Sequence, residues 1–268
     1  MKRFPYRFRL QRLGAGLALL AGLALAGPAG AADTPPIAVA ANLQDAMTEL
    51  VEAFEADTGL SVKPTFGSSG NFARQIRQGA PFELFFSADE AYVDDLADDG
   101  FTRDAGALYG VGRIVLILPK GSPLAADGSL DDLAAALKDG RLKRFAIASP
   151  AHAPYGRAAE EALGHKGLWD RLQSKLVLGE NVSQAAQFAV SANAQGGIVA
   201  YSLALSPNVA ARSDHALIPA NWHAPLNQRM VLLNGAGETA ERFHAYVQTP
   251  PARAIFRKYG YLLPDETD

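Results

Sequence analysis

Four short polar segments each stand between an apolar run and an amphipathic one, and their residue types suit the capture of a small anion. They are Ala40-Ala41-Asn42-Leu43, Phe66-Gly67-Ser68-Ser69-Gly70-Asn71, Ser149-Pro150-Ala151-His152-Ala153-Pro154-Tyr155-Gly156 and Glu180-Asn181-Val182-Ser183. Asn42, Ser68 or Ser69, and Asn181 stand where helix caps are expected, and Pro154 suits a first helical turn. A helix start leaves backbone N–H groups unsatisfied and carries partial positive charge, so it attracts an anion without any cationic side chain. Small residues at these places let the backbone come close, and Asn and Ser side chains add donors. A single corner of this kind is an ordinary cap, worth about 1 kcal/mol of stability. Four of them, two in each half of the chain, describe a site.

The elements that must position these corners follow from the apolar pattern. Ile37–Ala41 reads as a strand, and Leu43, Met47, Leu50, Val51 and Phe54 repeat at helical spacing up to Gly59. A strand over Leu60–Phe66, a helix through Phe72 and Ile76, a strand over Glu83–Ser87 and a helix from Asp89 continue the alternation. Strand and helix in strict turn imply a largely parallel sheet with helices on its faces. Ile114–Leu118 reads as a fully buried strand, and a second such unit follows: helix Leu130–Leu137, strand Arg144–Ala148, helix Tyr155–Leu163, strand Leu176–Leu178, helix Val182–Asn193 and strand Gly197–Ala200. A strand over Met230–Leu233 and helices from Gly237 and Pro251 close the chain. Two serial α/β units suggest two lobes, and corners beyond the carboxyl ends of their strands are where ligands collect.

Other constellations carry less. Gly67-Ser68-Ser69-Gly70 lacks the Gly-x-Ser-x-Gly spacing of a nucleophile elbow and has no Gly-Lys-Ser/Thr after it, which excludes a Walker phosphate loop. A serine hydrolase using Ser68 or Ser69 stays open as an alternative, since folding could bring His and Asp partners. The five histidines, His152, His165, His215, His223 and His244, form no i, i+4 pair, and there is no cysteine, so no direct cation site is expected. His152 alone sits in a corner. Arg74 and Arg157 lie within a turn of two corners but read better as solvated or salt-bridged. Asp94-Asp95 and Asp98-Asp99 read as a solvated helix end, and Phe82-Glu83-Leu84-Phe85-Phe86 as core.

The N-terminus addresses the compartment. Lys2, Arg3, Arg7, Arg9 and Arg12 precede an uncharged stretch from Leu13 to Ala26 and the small residues Gly27-Pro28-Ala29-Gly30-Ala31-Ala32. Basic head, short apolar stretch and small-residue end read as a cleaved signal peptide over residues 1–32, and hence as export to the periplasm. The apolar stretch is shorter than the roughly 20 residues of a spanning helix, so no stable membrane insertion is expected. Losing that segment leaves 20 basic against 28 acidic residues, a net charge of −8, a poor basis for binding nucleic acid. The same charge means an anion must be held locally rather than drawn in from afar.

The segments around the corners resemble the periplasmic molybdate-binding proteins of ABC transporters. The resemblance rests on Ala40-Ala41-Asn42-Leu43-Gln44-Asp45-Ala46-Met47, on the stretch from Phe66 through Ser68-Ser69 to Ile76, and on Gly79-Ala80-Pro81-Phe82-Glu83-Leu84-Phe85-Phe86-Ser87-Ala88-Asp89. Gly196-Gly197-Ile198-Val199 and Ala254-Ile255-Phe256-Arg257-Lys258-Tyr259-Gly260-Tyr261 extend it across the chain. It implies a two-lobed type II periplasmic-binding-protein fold, each lobe a mostly parallel sheet flanked by helices, with the ligand in the cleft between them. Lobe 1 would comprise residues 33–112 plus 220–268, and lobe 2 residues 113–219. By position, Asn42 and Ser69 would donate through side chain and backbone, Tyr155 and Val182 through backbone N–H, and Ala41 through a further backbone contact. Some members carry a ligand-binding tyrosine directly after Gly-Ile-Val; here Ala200 holds that place, with Tyr201 beside it as a further candidate. Asn42 also replaces the commoner Ser. The implied function is capture of molybdate or tungstate, with molybdenum held only as oxyanion, and delivery by a monomer to an ABC permease. It implies no cofactor and no enzymatic activity. Sulfate, phosphate or a sulfonate are the alternative ligands.

Overall fold

A computed structural model of the chain describes residues 34–191 and 194–264, besides Met1. The expected signal peptide, residues 1–32, lies outside the described residues. From residue 34 the chain is one compact unit. It begins with β1 (Pro36–Ala40), a 3-10 turn over Ala41–Leu43, α1 (Gln44–Thr58), β2 (Lys63–Gly67), α2 (Ser69–Arg77), β3 (Leu84–Ser87), α3 (Ala91–Asp98) and β4 (Ala107–Gly112). There follow β5 (Ile114–Pro119), α4 (Asp131–Asp139), β6 (Phe145–Ala148), α5 (Pro154–His165), α6 (Trp169–Leu172), β7 (Leu176–Gly179), α7 (Val182–Val190), β8 (Gly197–Ala200), α8 (Tyr201–Ala204), α9 (Pro207–Ala210) and β9 (Ser213–Leu217). The chain ends with β10 (Leu226–Leu232), α10 (Glu238–Val247) and α11 (Pro250–Lys258).

Two five-stranded sheets define the two lobes, in the orders β2-β1-β3-β10-β4 and β7-β6-β8-β5-β9. They are more mixed than strict strand–helix alternation suggests. β10 runs antiparallel to both its neighbours, β3 and β4, and β5 likewise opposes β8 and β9. The opposed strand of each sheet is the one that arrives from the other lobe. The chain leaves the first sheet through β4 into β5, with only Arg113 between them, and returns between β9 and β10.

Alternation along the first sheet sorts side chains to its two faces, as the pleat requires. Ile37, Val39, Leu84 and Phe86 pack with Met47, Leu50 and Phe54 of α1, Phe243 of α10 and Phe256 of α11. Ala38 and Phe85 face the other way, onto Phe72 and Ile76 of α2 and Val93 and Leu96 of α3. The second sheet has one continuous core, built on the buried run Ile114–Leu118 and reaching Ala40, Ala41 and Ala88 of the first lobe. The stretch expected to be helical to Asn193 ends at Val190, and Asn193 itself lies outside the described residues.

Candidate functional site

All four corners meet at one pocket. Ala40, Ala41 and Asn42 line it from the end of β1, and Gly67, Ser68 and Ser69 from the β2–α2 corner. Ala88 adds the end of β3, while Ala153, Pro154 and Tyr155 open α5 and Val182 opens α7. The empty space among these residues, open solvent at the mouth included, is ≈ 180 Å³. Every lining residue is uncharged. The expected site residues Ala41, Asn42, Ser69, Tyr155 and Val182 are therefore brought together, from both lobes.

Local chemistry explains each position. Asn181 caps α7, its Oδ1 accepting from the Gln184 N–H at 3.0 Å. That leaves the Val182 N–H at the very start of the helix, where no preceding turn supplies an acceptor. In α5, Pro154 stands in the first turn and contributes no N–H, so Tyr155 offers the first backbone donor of that helix. Ser69 Oγ accepts from the Ala88 N–H at 2.9 Å, which ties the ends of β2 and β3 together beneath the pocket. Ser68 holds the cap position of α2 without a side-chain cap bond; its Oγ lies 3.1 Å from His152 Nδ1 instead.

Asn42 behaves differently from its expectation as a helix cap. It lies inside the 3-10 turn and its side chain caps nothing. Its Nδ2 donates to Gln228 Oε1 at 2.8 Å and to Tyr261 Oη at 2.7 Å, and Oδ1 has no partner among the described residues. Behind the pocket this begins a buried polar network. Tyr109 Oη lies 2.8 Å from Gln228 Oε1 and 2.9 Å from the Ser87 carbonyl, and Gln228 Nε2 donates to Tyr155 Oη at 2.8 Å. Ser202 Oγ and Tyr261 Oη both donate to the Asn42 carbonyl, at 2.8 and 3.0 Å. Burial raises the Tyr109 and Tyr155 hydroxyls well above the ordinary tyrosine value. Burial also raises Tyr261, against lowering hydrogen bonds from Ser202 and Asn42. All three therefore keep their protons.

Gln228, Tyr109, Tyr261 and Ser202 escaped the sequence reading. One signal was present: Leu226, Gln228 and Met230 share the buried face of β10, so Gln228 is a polar residue in a core register. Tyr201 does not line the pocket. Its ring packs on His215 at a centroid distance of 5.6 Å and covers Gly260. Arg157 pairs with Asp89 and lies over the Tyr92 ring, and Arg74 donates to Asn71, so neither arginine lines the pocket.

Contacts across the cleft hold the lobes together around the pocket. Gly70 N–H donates to the His152 carbonyl at 3.0 Å, Asn71 Nδ2 to Glu180 Oε1 at 2.6 Å and Ser183 Oγ to Gln44 Oε1 at 2.8 Å. Gly70 has to be glycine here, because a Cβ would lie 2.8 Å from the His152 carbonyl oxygen and 2.9 Å from Tyr92 Oη. The Ser68–His152 contact places a base beside a serine, as a hydrolase would need. Yet His152 Nε2 is 3.7 Å from Glu180, too far to be oriented by a hydrogen bond, and the pair joins opposite lobes. Among the described residues no group of three or more His, Cys, Asp or Glu side chains could hold a metal ion. None of the described helices is long and apolar enough to cross a membrane.

Two lobes closing on a small pocket of helix N-termini define a solute-binding protein. The chain belongs to the family of bacterial extracellular solute-binding proteins, whose model matches residues 36–262. It is 38% identical to the molybdate-binding protein ModA of Rhodobacter capsulatus over 266 residues, 98% of this chain and 99% of that one. To ModA of Azotobacter vinelandii it is 37% identical over 259 residues, 96% of this chain and 99% of that one. The solved periplasmic molybdate-binding protein of Azotobacter vinelandii superposes with a TM-score of 0.77 and 32% identity, covering 86% of this chain and all of that one. The ModA-like character read from the sequence thus holds. The chain is a binding protein, not an enzyme.

Proposed function

We propose that this chain captures molybdate, and tungstate with it, in the interlobe pocket and delivers it from the periplasm to an ABC permease. The observation that carries the reading is a pocket lined by uncharged residues from four helix-initiating corners, in a chain similar to two molybdate-binding proteins over nearly its whole length. In this reading Ala41, Asn42, Ser69, Tyr155 and Val182 hold the oxyanion, Asn42 and Ser69 through side chain and backbone and the others through backbone N–H. In this reading the lobes comprise residues 33–112 plus 220–268 and residues 113–219. The protein works as a monomer without a cofactor, and residues 1–32 are removed on export.

Neutral donors suit a fully ionised dianion, since no group is reserved for a ligand proton. Phosphate, partly protonated at neutral pH, would face a donor with a donor, and burying such a mismatch is costly. A ligand bridging both lobes favours the closed state over the open one, and closure presents the form that docks on the permease. Thermal unfolding with molybdate, tungstate, sulfate or phosphate at one concentration tests this. A ligand at about 100 times its dissociation constant adds about 2.7 kcal/mol. Molybdate and tungstate should raise Tm; no shift with either, or a larger one with sulfate, sinks the proposal.

A further inference from the structure

The Asn42 side chain presents a contradiction to an anion. Asn42 lines the pocket and is 2% exposed, but both its amide hydrogens are turned to Gln228 and Tyr261, neither of which lines the pocket. The amide atom left over is Oδ1, buried and without a partner among the described residues. A carbonyl oxygen repels an oxyanion and cannot donate to it.

The network behind Asn42 can resolve this, because every member can reverse its role. Gln228 is fully buried and carries both a donor and an acceptor on one amide. Its Oε1 meets Asn42 and Tyr109, and its Nε2 meets Tyr155. With the Gln228 and Asn42 amides both turned over, Gln228 Nε2 donates to Asn42 Oδ1 and to Tyr109 Oη. Tyr109 then donates to the Ser87 carbonyl, already 2.9 Å away. Tyr155 Oη, with its proton retained, donates to Gln228 Oε1. Tyr261 Oη, which accepts from Asn42 Nδ2 as it stands, donates to Asn42 Oδ1 instead. No proton changes its heavy atom; amides turn and hydroxyls rotate. The orphaned Oδ1 acquires partners, and Nδ2 is free for the pocket. Turning one amide alone would set acceptor against acceptor or donor against donor between residues 42 and 228.

We propose that Gln228 is the positioning residue that sets which end of the Asn42 amide meets the ligand, and that both amides turn over together when an oxyanion is bound. The inference rests on the oxyanion reading above and adds to it a specificity device outside the pocket lining. Gln228 touches no ligand. Through Asn42 it decides whether the first lobe offers a donor or an acceptor, and through Tyr155 it registers the position of the second lobe.

The test is a double-mutant cycle read by isothermal titration with sodium molybdate: wild type, Gln228→Met, Asn42→Ser and the double variant. A serine hydroxyl can donate or accept by rotating alone, so it needs no partner to orient it. Gln228→Met should weaken binding by about tenfold when Asn42 is present and by less than about twofold beside Asn42→Ser, the non-additivity expected of residues acting as one unit. Equal loss in both backgrounds, or none in either, overturns the proposal while leaving the oxyanion reading intact. If wild type takes up neither molybdate nor tungstate, the oxyanion reading fails and this inference falls with it. Should Gln228→Met not fold, side-chain amide NMR of the wild-type protein decides. On saturation with molybdate, nuclear Overhauser contacts from the Gln228 Nε2 protons should pass from the Tyr155 ring to the Tyr109 ring. Contacts that stay on Tyr155 overturn it.

Discussion

Gly112, at the last position of β4, shows how tightly single residues are constrained beside this site. A Cβ there would lie 2.2 Å from Tyr155 Oη and 2.4 Å from Gln228 Nε2, so the Tyr155 ring passes over a residue that must have no side chain. Gly112→Ala should therefore destabilise the protein by about 1–3 kcal/mol through overpacking and displace Tyr155, measured as a lower urea midpoint with an unchanged slope. The tyrosines make a second prediction. Burial raises Tyr109 and Tyr155 above the value of about 10 that they regain on unfolding. The stability carried by their neutral forms is whole below about pH 10 and drains away as pH climbs from there toward the folded values. Urea unfolding at rising alkaline pH should show that decline, and Tyr109→Phe should make it shallower. Placement at the pocket was legible in the sequence only where it is local. Ser69, Tyr155 and Val182 sit at helix starts, which a few neighbouring residues announce. The partners of Asn42 lie 186 and 219 positions away, and no local pattern announces them.

At the scale of elements, the site is a property of helix starts. Asn181 holds the first turn of α7 and keeps its own side chain out of the pocket by accepting from Gln184. Asn181→Ala should cost about 1 kcal/mol of stability by loss of the cap, and should weaken oxyanion binding as the turn carrying Val182 frays. Chemical unfolding with and without molybdate separates the two effects. Which strands exist was mostly readable, because Ile37–Ala40, Leu84–Ser87 and Ile114–Leu118 are short, strongly apolar runs ended by small or polar residues. β4 was not, since Ala107–Gly112 holds two glycines, and β9 was not, since Ser213–Leu217 is a half-exposed edge strand with a polar first half. The direction of β10 and β5 was hidden for another reason. Alternating strands and helices imply parallel neighbours only while the chain stays in one sheet, and these two strands are where it changes sheets.

For the whole molecule, two lobes make one pocket that neither could make alone. Contacts from Gly70 to His152, Asn71 to Glu180, Ser183 to Gln44 and Gln228 to Tyr155 span the cleft and join the two lobes beside the pocket. None of these pairs could be foreseen from the sequence, although the corners they frame could. The fold class followed from alternating elements and from residues shared with a known family, whereas the closed arrangement rests on contacts between residues far apart in the chain. The most direct test is an isothermal titration of the mature chain with sodium molybdate, alone and in a large excess of sodium sulfate. Saturable binding of one molybdate per chain that survives the sulfate is the expected result. No saturable binding, or its abolition by sulfate, would contradict it.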